Sequence, residues 1–358
     1  METSTVVSGA EVATVAETEA KAPEAACVKT GRGTPKLRQV QMPSTVAERL
    51  TFGVEVETVM PVQAMHDAGI RRGGYHCGLP LPQPMFPAGW EAQSDSSIPV
   101  PAGGWVGIEV VSPVLHGREG LEQVSQVLDR LRTLGCAVRR GMGLHVHLGV
   151  ESAAGADRAA QAAFVENFVS VVAQFETALY AITGSAWRRT NHYCATVRTD
   201  GHRAAVERVR RAAKGRKWQA LHDGHLGRYH SVNTQNVGSY NRNTVEVRAL
   251  AASLNPIKVL ASVQFILGLA EKALGRRARF DPPVTRIYRG RGDGTRQVER
   301  ALSLLGWSLG RKDVGRETCV ALGWLDDLAN LAAAKAELRR LARKFDAAVA
   351  AEALPRAA

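Results

Sequence analysis

The segment TFGVEVET, at residues 51–58, alternates apolar and polar side chains in the manner of a β-strand. Side chains two residues apart on a strand point to the same face of a sheet. The acidic residues Glu55 and Glu57 therefore share one face, and three apolar residues share the other. The segment predicts a strand with one side facing a core and one acidic side.

Three other segments repeat this alternation: VGIEVV at 106–111, LHVHLG at 144–149 and TVEVRAL at 244–250. Opposite their apolar residues, these segments carry Glu109, His145, His147, Glu246 and Arg248. Each segment alone is typical of an antiparallel sheet with one solvated face. Together the four segments lack the Lys, Thr and Ser mixture of a solvated surface, which favours a functional site on one sheet.

If the four strands are neighbours, their polar faces bring four carboxylates together. Two such charges about 4 Å apart repel by about 4 kcal/mol at an effective dielectric near 20. Either protonation or bound cations must relieve this repulsion. Carboxylate oxygens combined with imidazole suit Mg²⁺ or Mn²⁺. The number of ligands indicates two divalent ions.

Composition narrows the class of protein. The chain has 358 residues and a formal net charge of +12, which favours an anionic partner without distinguishing nucleotide, acidic peptide and nucleic acid. Its five cysteines form no CxxC pair, which argues against a disulfide framework and fits a cytoplasmic protein. No apolar run reaches the ~20 residues of a membrane span, and we expect no secretory signal.

The chain divides into three parts by composition. Residues 1–47 contain no aromatic residue and no sustained apolar period, which predicts a disordered leader. We expect a catalytic domain over 48–277, and a basic linker with C-terminal helices that complete or cap it over 278–358. Within the domain, the Gly- and Pro-rich residues 71–104 predict a long loop. The Arg- and Lys-rich residues 186–217 form either a solvated surface or a flap that faces phosphate or substrate.

Apolar residues spaced three and four apart predict helices around 121–131, 164–182 and 325–345. A further helix should begin at Asn255 and Pro256, because asparagine favours the N-cap and proline the first turn. This last helix is apolar almost all round, which predicts that it is buried.

Two divalent ions, several glutamates and an arginine suit phosphoryl transfer from ATP. Metal ions bridge phosphate oxygens in such sites, and a guanidinium neutralises the charge of the transferred group. The chain has no Walker A motif. We therefore expect the sheet face itself, with its ions, to hold the nucleotide.

Five segments in this order resemble the amidoligase family: FGVEVET, DSSI, GIEVVSPVL, GLHVHLGV and TVEVRALAASLNPIKVLASVQF. The resemblance covers about residues 50–275. This family belongs to the glutamine synthetase and glutamate–cysteine ligase superfamily of carboxylate–amine ligases. The resemblance implies an α+β fold, in which a curved antiparallel sheet carries helices on one face and a two-metal ATP site on the other. It also implies ATP-dependent amide bond formation through an acyl phosphate, with a small-molecule or peptide substrate that supplies a carboxylate and an amine.

The resemblance also implies roles for individual residues. The residues that resemble metal ligands are Glu55, Glu57, Glu109, His145 and Glu246. Arg248 resembles the arginine that meets the transferred phosphoryl group, and His147 resembles a nucleotide or substrate contact. Asp95 lies where the family has an Asp-Gly-Ser-like turn, although Ser96 replaces the glycine here. Asn233 and Asn236 are either substrate or nucleotide contacts or ordinary turn residues.

Three alternatives remain at this point. A metal-dependent hydrolase also uses a His-x-His pair with carboxylates, although it needs fewer acidic ligands. A nucleic-acid-binding protein fits the positive charge but leaves the acidic face unexplained. The third alternative is a site that binds nucleotide without catalysis. Superfamily analogy allows any oligomeric state from monomer to ring.

Overall fold

An antiparallel sheet built around the Thr51–Thr58 segment organises the molecule in the computed structural model, which describes residues 50–224, 227–239, 242–275, 293–305 and 328–352. The strands are β1 (Thr51–Pro61), β2 (Leu79–Pro80), β3 (Glu91–Gln93), β4 (Trp105–Val111), β5 (Leu115–His116), β6 (Gly143–Gly149), β7 (Val232–Asn233) and β8 (Thr244–Ala251). Their order is β2-β3-β4-β1-β6-β8-β7, and β5 also pairs with β1. The four strands predicted from alternation are thus consecutive neighbours, β4-β1-β6-β8.

The apolar side of each central strand lies in the core. On β1, Phe52, Val54 and Val56 are buried, and Val146 on β6 and Val247 on β8 lie beside them. A one-residue slip of any strand would exchange its apolar and polar faces, because the side-chain period is two. The apolar pattern therefore sets the register that aligns the polar residues on the opposite face.

Helices pack on the apolar side of the curved, unclosed sheet. They are α1 (Val62–Asp67), α2 (Gly117–Thr133), α3 (Val150–Ala154), α4 (Arg158–Ala181), α5 (Asp200–Arg211), α6 (Lys217–His222), α7 (Pro256–Gly275), α8 (Asp293–Leu304) and α9 (Leu328–Glu352). Helix α4 packs against α7, α8 and α9, and α7 also packs against α2. The fold is α+β, as expected.

Helices α2, α4 and α7 confirm the helices predicted from the sequence. Helix α2 ends just before Gly135, whose φ of 75° is the left-handed conformation that glycine adopts after helices. Helix α7 is capped by Asn255, whose Oδ1 accepts a 3.2 Å hydrogen bond from the backbone N–H of Lys258. Helix α4 is buried along most of its length.

The prediction of one long loop over residues 71–104 was wrong in part. Strands β2 and β3 lie inside this range and extend the sheet beyond β4. With two and three residues, these strands are too short to show an alternating pattern. Edge pairing with β4, which is a tertiary interaction, decides their conformation.

The basic residues 186–217 are more than a solvated surface, and a role facing phosphate or substrate stays a prediction. They form short 3₁₀ turns and helix α5, and three of their arginines are largely shielded from solvent. Arg198 donates to main-chain carbonyls of α4, including that of Gln174, and Arg210 forms a 2.5 Å ion pair with Glu166. These arginines attach the segment to α4.

Two domain predictions fall on parts of the chain that are not described. The expected leader, 1–47, lies outside the described residues, and so does the boundary at 277 and 278. Among the described helices, none is both long and apolar enough to cross a membrane.

Candidate active site

The register of the central strands places the polar side chains in a diagonal row across the sheet. Glu57 on β1 lies opposite Glu109 on β4, and Glu55 lies opposite His145 on β6. Glu246 on β8 pairs with His147 on β6. These six residues come from segments up to about 190 positions apart, yet the sheet makes them neighbours.

The imidazole of His145 is the centre of this cluster. Its Nδ1 lies 3.1 Å from Glu55 Oε2 and 3.5 Å from Glu246 Oε1. The same atom is 3.7 Å from Glu109 Oε1, and its Nε2 is 3.6 Å from Glu57 Oε1. One ring thus contacts all four carboxylates.

The cluster is buried, in contrast to the solvated face of an ordinary antiparallel sheet. Glu57, Glu109, His145 and Glu246 are each 5% exposed or less. The polar side chains pack against one another and against flanking amides and an arginine. Electrostatic interactions in such a place are stronger than in water.

Two side-chain amides flank the row at its two ends. Gln93 on β3 donates a 2.6 Å hydrogen bond from Nε2 to Glu109 Oε2, and Asn233 on β7 donates a 2.7 Å bond from Nδ2 to Glu246 Oε2. Sequence reasoning found Asn233 but missed Gln93. In the sequence, Gln93 is marked only by its position two residues before Asp95, because its strand of three residues is too short to show a pattern.

The backbone of Gly143 positions a third carboxylate, that of Glu57. The N–H of Gly143 donates a 2.7 Å hydrogen bond to Glu57 Oε2. A Cβ atom at residue 143 would lie 2.7 Å from His145 Nε2, closer than the packing allows. A glycine is therefore required where the backbone approaches the cluster.

Arg248 completes the row on the β8 side. Its guanidinium forms a close ion pair with Glu246. The strand bulges here, because Arg248 and Ala249 lie between the pairs Val146–Val247 and Leu144–Leu250. β-Bulges near functional sites re-aim side chains. The backbone carbonyls of both bulge residues accept hydrogen bonds from buried Arg188.

The cluster shifts the ionisation of its members in opposite directions. Burial alone would raise the pKa of Glu55, but the adjacent His147 and His145 hold that pKa well below its usual range. Burial also opposes a low pKa at Glu246, where His147, His145 and Arg248 prevail and lower it. Burial and the charge of Glu55 raise the pKa of Glu109 well above normal, although the hydrogen bond from Gln93 opposes this shift.

The pKa of His147 shifts upward. Burial would lower its pKa, but the charge of Glu55 raises it. His147 Nε2 lies 3.1 Å from Glu55 Oε1, and the two side chains form a buried ion pair.

Comparison with known families supports this reading of the fold. Residues 63–270 match the family described as "Putative amidoligase enzyme". The chain belongs to the amidoligase family. Family membership supports an amide-forming ligase, in agreement with the resemblance found in the sequence.

Solved structures similar to this amidoligase-family protein include two synthetase-type proteins. A bifunctional glutathione synthetase from Pasteurella multocida has a TM-score of 0.40 and 10% identity, over 84% of this chain and 52% of that chain. A glutamine synthase homologue has a TM-score of 0.38 and 13% identity, over 85% of this chain and 67% of that chain. The chain thus spans about half of the first of these proteins. No curated protein matches the sequence.

Two groups of side chains in this amidoligase-family protein are spaced to hold a cation. Glu55, His145 and Glu246 form one group, and Glu57, Glu109 and His145 form the other. In each group the ligand atoms lie within 4.8 Å of one another. The donor set of carboxylate and imidazole fits Mg²⁺ or Mn²⁺.

The two other predicted site residues lie at the margin. Asp95 Oδ1 accepts a 2.7 Å hydrogen bond from the Ser97 backbone N–H, which forms a turn. Its charge contributes to the raised pKa of Glu109. Asn236 lies in the turn before β8, where its carbonyl accepts from Ser239 N–H. The structure therefore places Asp95 near the cluster and Asn236 in a turn.

Proposed function

We propose that the protein is an ATP-dependent carboxylate–amine ligase that forms an amide bond through an acyl phosphate. Its substrate is an amino acid or peptide, and ATP and Mg²⁺ or Mn²⁺ are its cofactors. The observation that carries this proposal is the convergence of four carboxylates and two imidazoles with Arg248 on one buried sheet face. Family membership supports amide formation as the reaction of this face.

The proposed metal ligands are Glu55, Glu57, Glu109, His145 and Glu246. Divalent ions bound there would neutralise phosphate oxygens and hold them in position. The chain's own contribution is to fix the ligands before any ion binds. Gln93 and Asn233 do this by holding Glu109 and Glu246, and Gly143 does so by holding Glu57.

The reaction has two steps in this proposal. A carboxylate oxygen of the substrate attacks the γ-phosphorus of ATP, and ADP leaves with the electrons of the broken P–O bond. The amine nitrogen then attacks the acyl carbon, and inorganic phosphate leaves. Arg248 would stabilise negative charge on the transferred phosphoryl group, which is where a fixed guanidinium contributes most.

His147, Asn233 and Asn236 stay proposals as contacts of nucleotide or substrate, and Asp95 stays a proposal as a catalytic residue. His147 has the most support of the three contacts, because its imidazole lies 3.1 Å from Glu55 inside the cluster. We also expect a cytoplasmic protein that acts without nucleic acid. Buried contacts of Arg188, Arg198 and Arg210 leave fewer basic side chains of residues 186–217 for a phosphate backbone.

The test is ATP turnover with Mg²⁺ against a library of amino acids, amines and short peptides, with products identified by mass spectrometry. We expect an amide product and one ADP for each bond formed. Glu57→Ala should abolish amine-dependent ADP release and weaken Mn²⁺ binding measured by titration calorimetry. Glu122→Ala, on the exposed face of α2, is the matched control and should change neither.

Several outcomes would contradict the proposal. Full ADP release by a folded Glu57→Ala variant would remove the site assignment. Tight stoichiometric zinc in protein purified without chelator, together with bond hydrolysis that needs no ATP, would indicate the hydrolase instead. Salt-sensitive binding of random DNA without ATP turnover would favour the nucleic-acid-binding alternative.

A further inference from the structure

A cavity of about 270 Å³ adjoins the carboxylate cluster on the same sheet face. Its floor follows the central strands past the cluster, and its walls come from the 76–78 segment, residues 112–114 and the turn before β8. Glu55, Gln93 and His147 belong to both the cavity lining and the cluster. A molecule in the cavity would therefore touch the cluster directly.

Gly53 opens the floor of this cavity. It lies on the same face of β1 as Glu55, and it pairs with His147 on β6. A Cβ atom there would meet Ser112 Oγ at 3.4 Å and His147 Cβ at 3.9 Å, so a side chain would fit without a severe clash. Packing therefore does not require glycine. Glycine in a strand interior instead marks a place where a ligand approaches the backbone.

Charges of opposite sign line the cavity on separate elements. Glu91, on β3, is partly buried, and Arg242, before β8, is exposed at the rim. Neither side chain forms an ion pair within the part of the chain that the structure describes. Both charges are thus available to a ligand that carries an ammonium group and a carboxylate.

The cavity and Arg248 lie on opposite sides of the cluster. Along β8, Thr244 lines the cavity, Glu246 belongs to the cluster, and Arg248 follows on the far side. Phosphoryl transfer keeps the attacking and leaving oxygens roughly in line on opposite sides of phosphorus. If the nucleotide occupies the Arg248 side, the phosphoryl acceptor must lie on the cavity side.

The size of the cavity limits what it can hold. Pockets for drug-sized ligands span about 300–1,000 Å³. The cavity lies just below this range, which suits one amino acid and is small for a nucleotide or a peptide of several residues.

We propose that this cavity is the binding site of the carboxylate substrate, and that this substrate is a single amino acid. Glu91 binds its ammonium group, Gly53 leaves space for its body, and its carboxylate reaches the cluster. The exposed Arg242 at the rim attracts the anionic carboxylate as the amino acid enters. This assignment rests on the proposed ligase function, and it adds residues that contact neither ATP nor the phosphoryl group.

The first experiment measures binding without metal or ATP, by saturation-transfer NMR on the full-length protein in EDTA with each of the proteinogenic amino acids alone. We expect at least one to bind. Gly53→Ala and Glu91→Gln should each weaken that binding at least fivefold, and Arg242→Gln should weaken it most at low salt. Gly201→Ala, on α5, and Glu299→Gln, on α8, are the matched controls and should bind as the wild type does.

The second experiment separates this assignment from the ligase proposal. In the presence of MgATP, Gly53→Ala and Glu91→Gln should raise KM for the amino acid at least fivefold and change KM for ATP less than twofold. If an amino acid binds but no amide forms, the result would support the cavity as its binding site and refute the proposed ligase function. Amide formation with unchanged KM values in folded variants would overturn the cavity assignment, and so would binding of peptides but no amino acid. If the Gly53 and Glu91 variants unfold, Arg242→Gln tests the cavity assignment, because Arg242 is exposed and its replacement should not affect folding.

Discussion

The guanidinium of Arg188 donates a hydrogen bond to the backbone carbonyl of Arg248, at the bulge that aims the Arg248 side chain. It also donates to the carbonyl of Ala249, at 3.4 Å. A bulge leaves backbone groups without partners in the ladder. A buried arginine from the basic segment thus satisfies the strand at the point where the proposed catalytic arginine emerges.

We predict that Arg188→Gln lowers both stability and turnover. Loss of the bonds to buried carbonyls should reduce the free energy of unfolding by about 1–3 kcal/mol. Because Arg248 then loses its fixed orientation, kcat for amide formation should fall at least tenfold while KM for the amino acid changes little. Urea unfolding and steady-state kinetics measure the two effects. Arg132→Gln, in an exposed ion pair, is the control; unchanged kcat in a destabilised Arg188→Gln protein would show a structural role alone.

Glu109→Gln should stabilise the protein when no divalent ion is present. It removes one of the mutually repelling carboxylates while keeping an acceptor for Gln93, so the free energy of unfolding in EDTA at pH 8 should rise by at least about 1 kcal/mol. The same variant should gain less thermal stability from added Mn²⁺ than the wild type does. Thermal unfolding with and without Mn²⁺ measures both. A less stable variant in EDTA would contradict the view that the carboxylates repel one another.

Asn233→Asp should have the opposite effect. It replaces a hydrogen-bond donor to Glu246 with another carboxylate, so the metal-free protein should lose at least about 1 kcal/mol of stability. Divalent ions should restore part of this loss, which thermal unfolding over a Mn²⁺ series would reveal. The control is Gln219→Glu on the exposed surface of α6. It also replaces an amide that donates to a carboxylate, that of Asp223, but it does so in solvent. Equal unfolding temperatures of Asn233→Asp and the wild type at every Mn²⁺ concentration would refute this prediction.

Glu176, on α4, lies outside the carboxylate cluster. Its ionisation should make the free energy of unfolding of the wild type depend on pH. Burial raises its pKa, although hydrogen bonds from Ser231, Thr196 and Val197 oppose the shift. A raised pKa in the folded state means that the stabilising contribution is fully present below the unfolded-state value near 4.5. That contribution is lost as the pH rises through the folded-state pKa.

Glu176→Gln removes this titration and keeps acceptor and donor groups for its neighbours. The stability of the wild type relative to this variant should therefore decline as the pH rises above the unfolded-state pKa of Glu176. Urea unfolding at a series of pH values measures the difference. A difference that is constant with pH, or one that grows toward alkaline pH, would show that the Glu176 pKa is not raised.

The sequence predicted the central strands well because their signal is local. In β1, Val54 and Val56 alternate with Glu55 and Glu57. This alternation predicts one buried face and one face of acidic side chains, whichever strand lies next to β1. The helices followed from the same kind of local period. The residues of the candidate site were proposed for the same reason, since unusual polar side chains stood where a solvated sheet carries ordinary ones.

The edge strands and the supports of the cluster had no such signal. Gln93 lies on a three-residue strand that exists only because it pairs with β4, and Arg188 lies in a basic segment whose contacts with β8 cross about 60 positions of sequence. The cavity beside Gly53 likewise depends on six separate segments.

The sequence by itself thus determined which residues face the core and which carry chemistry, because side-chain alternation depends on the backbone of a single strand. Only the tertiary structure decided that His145 would meet four carboxylates, that amides would hold the two ends of the row, and that a cavity would open beside it. Strand order, register and the β8 bulge set those distances, and they depend on contacts between segments that no local pattern encodes.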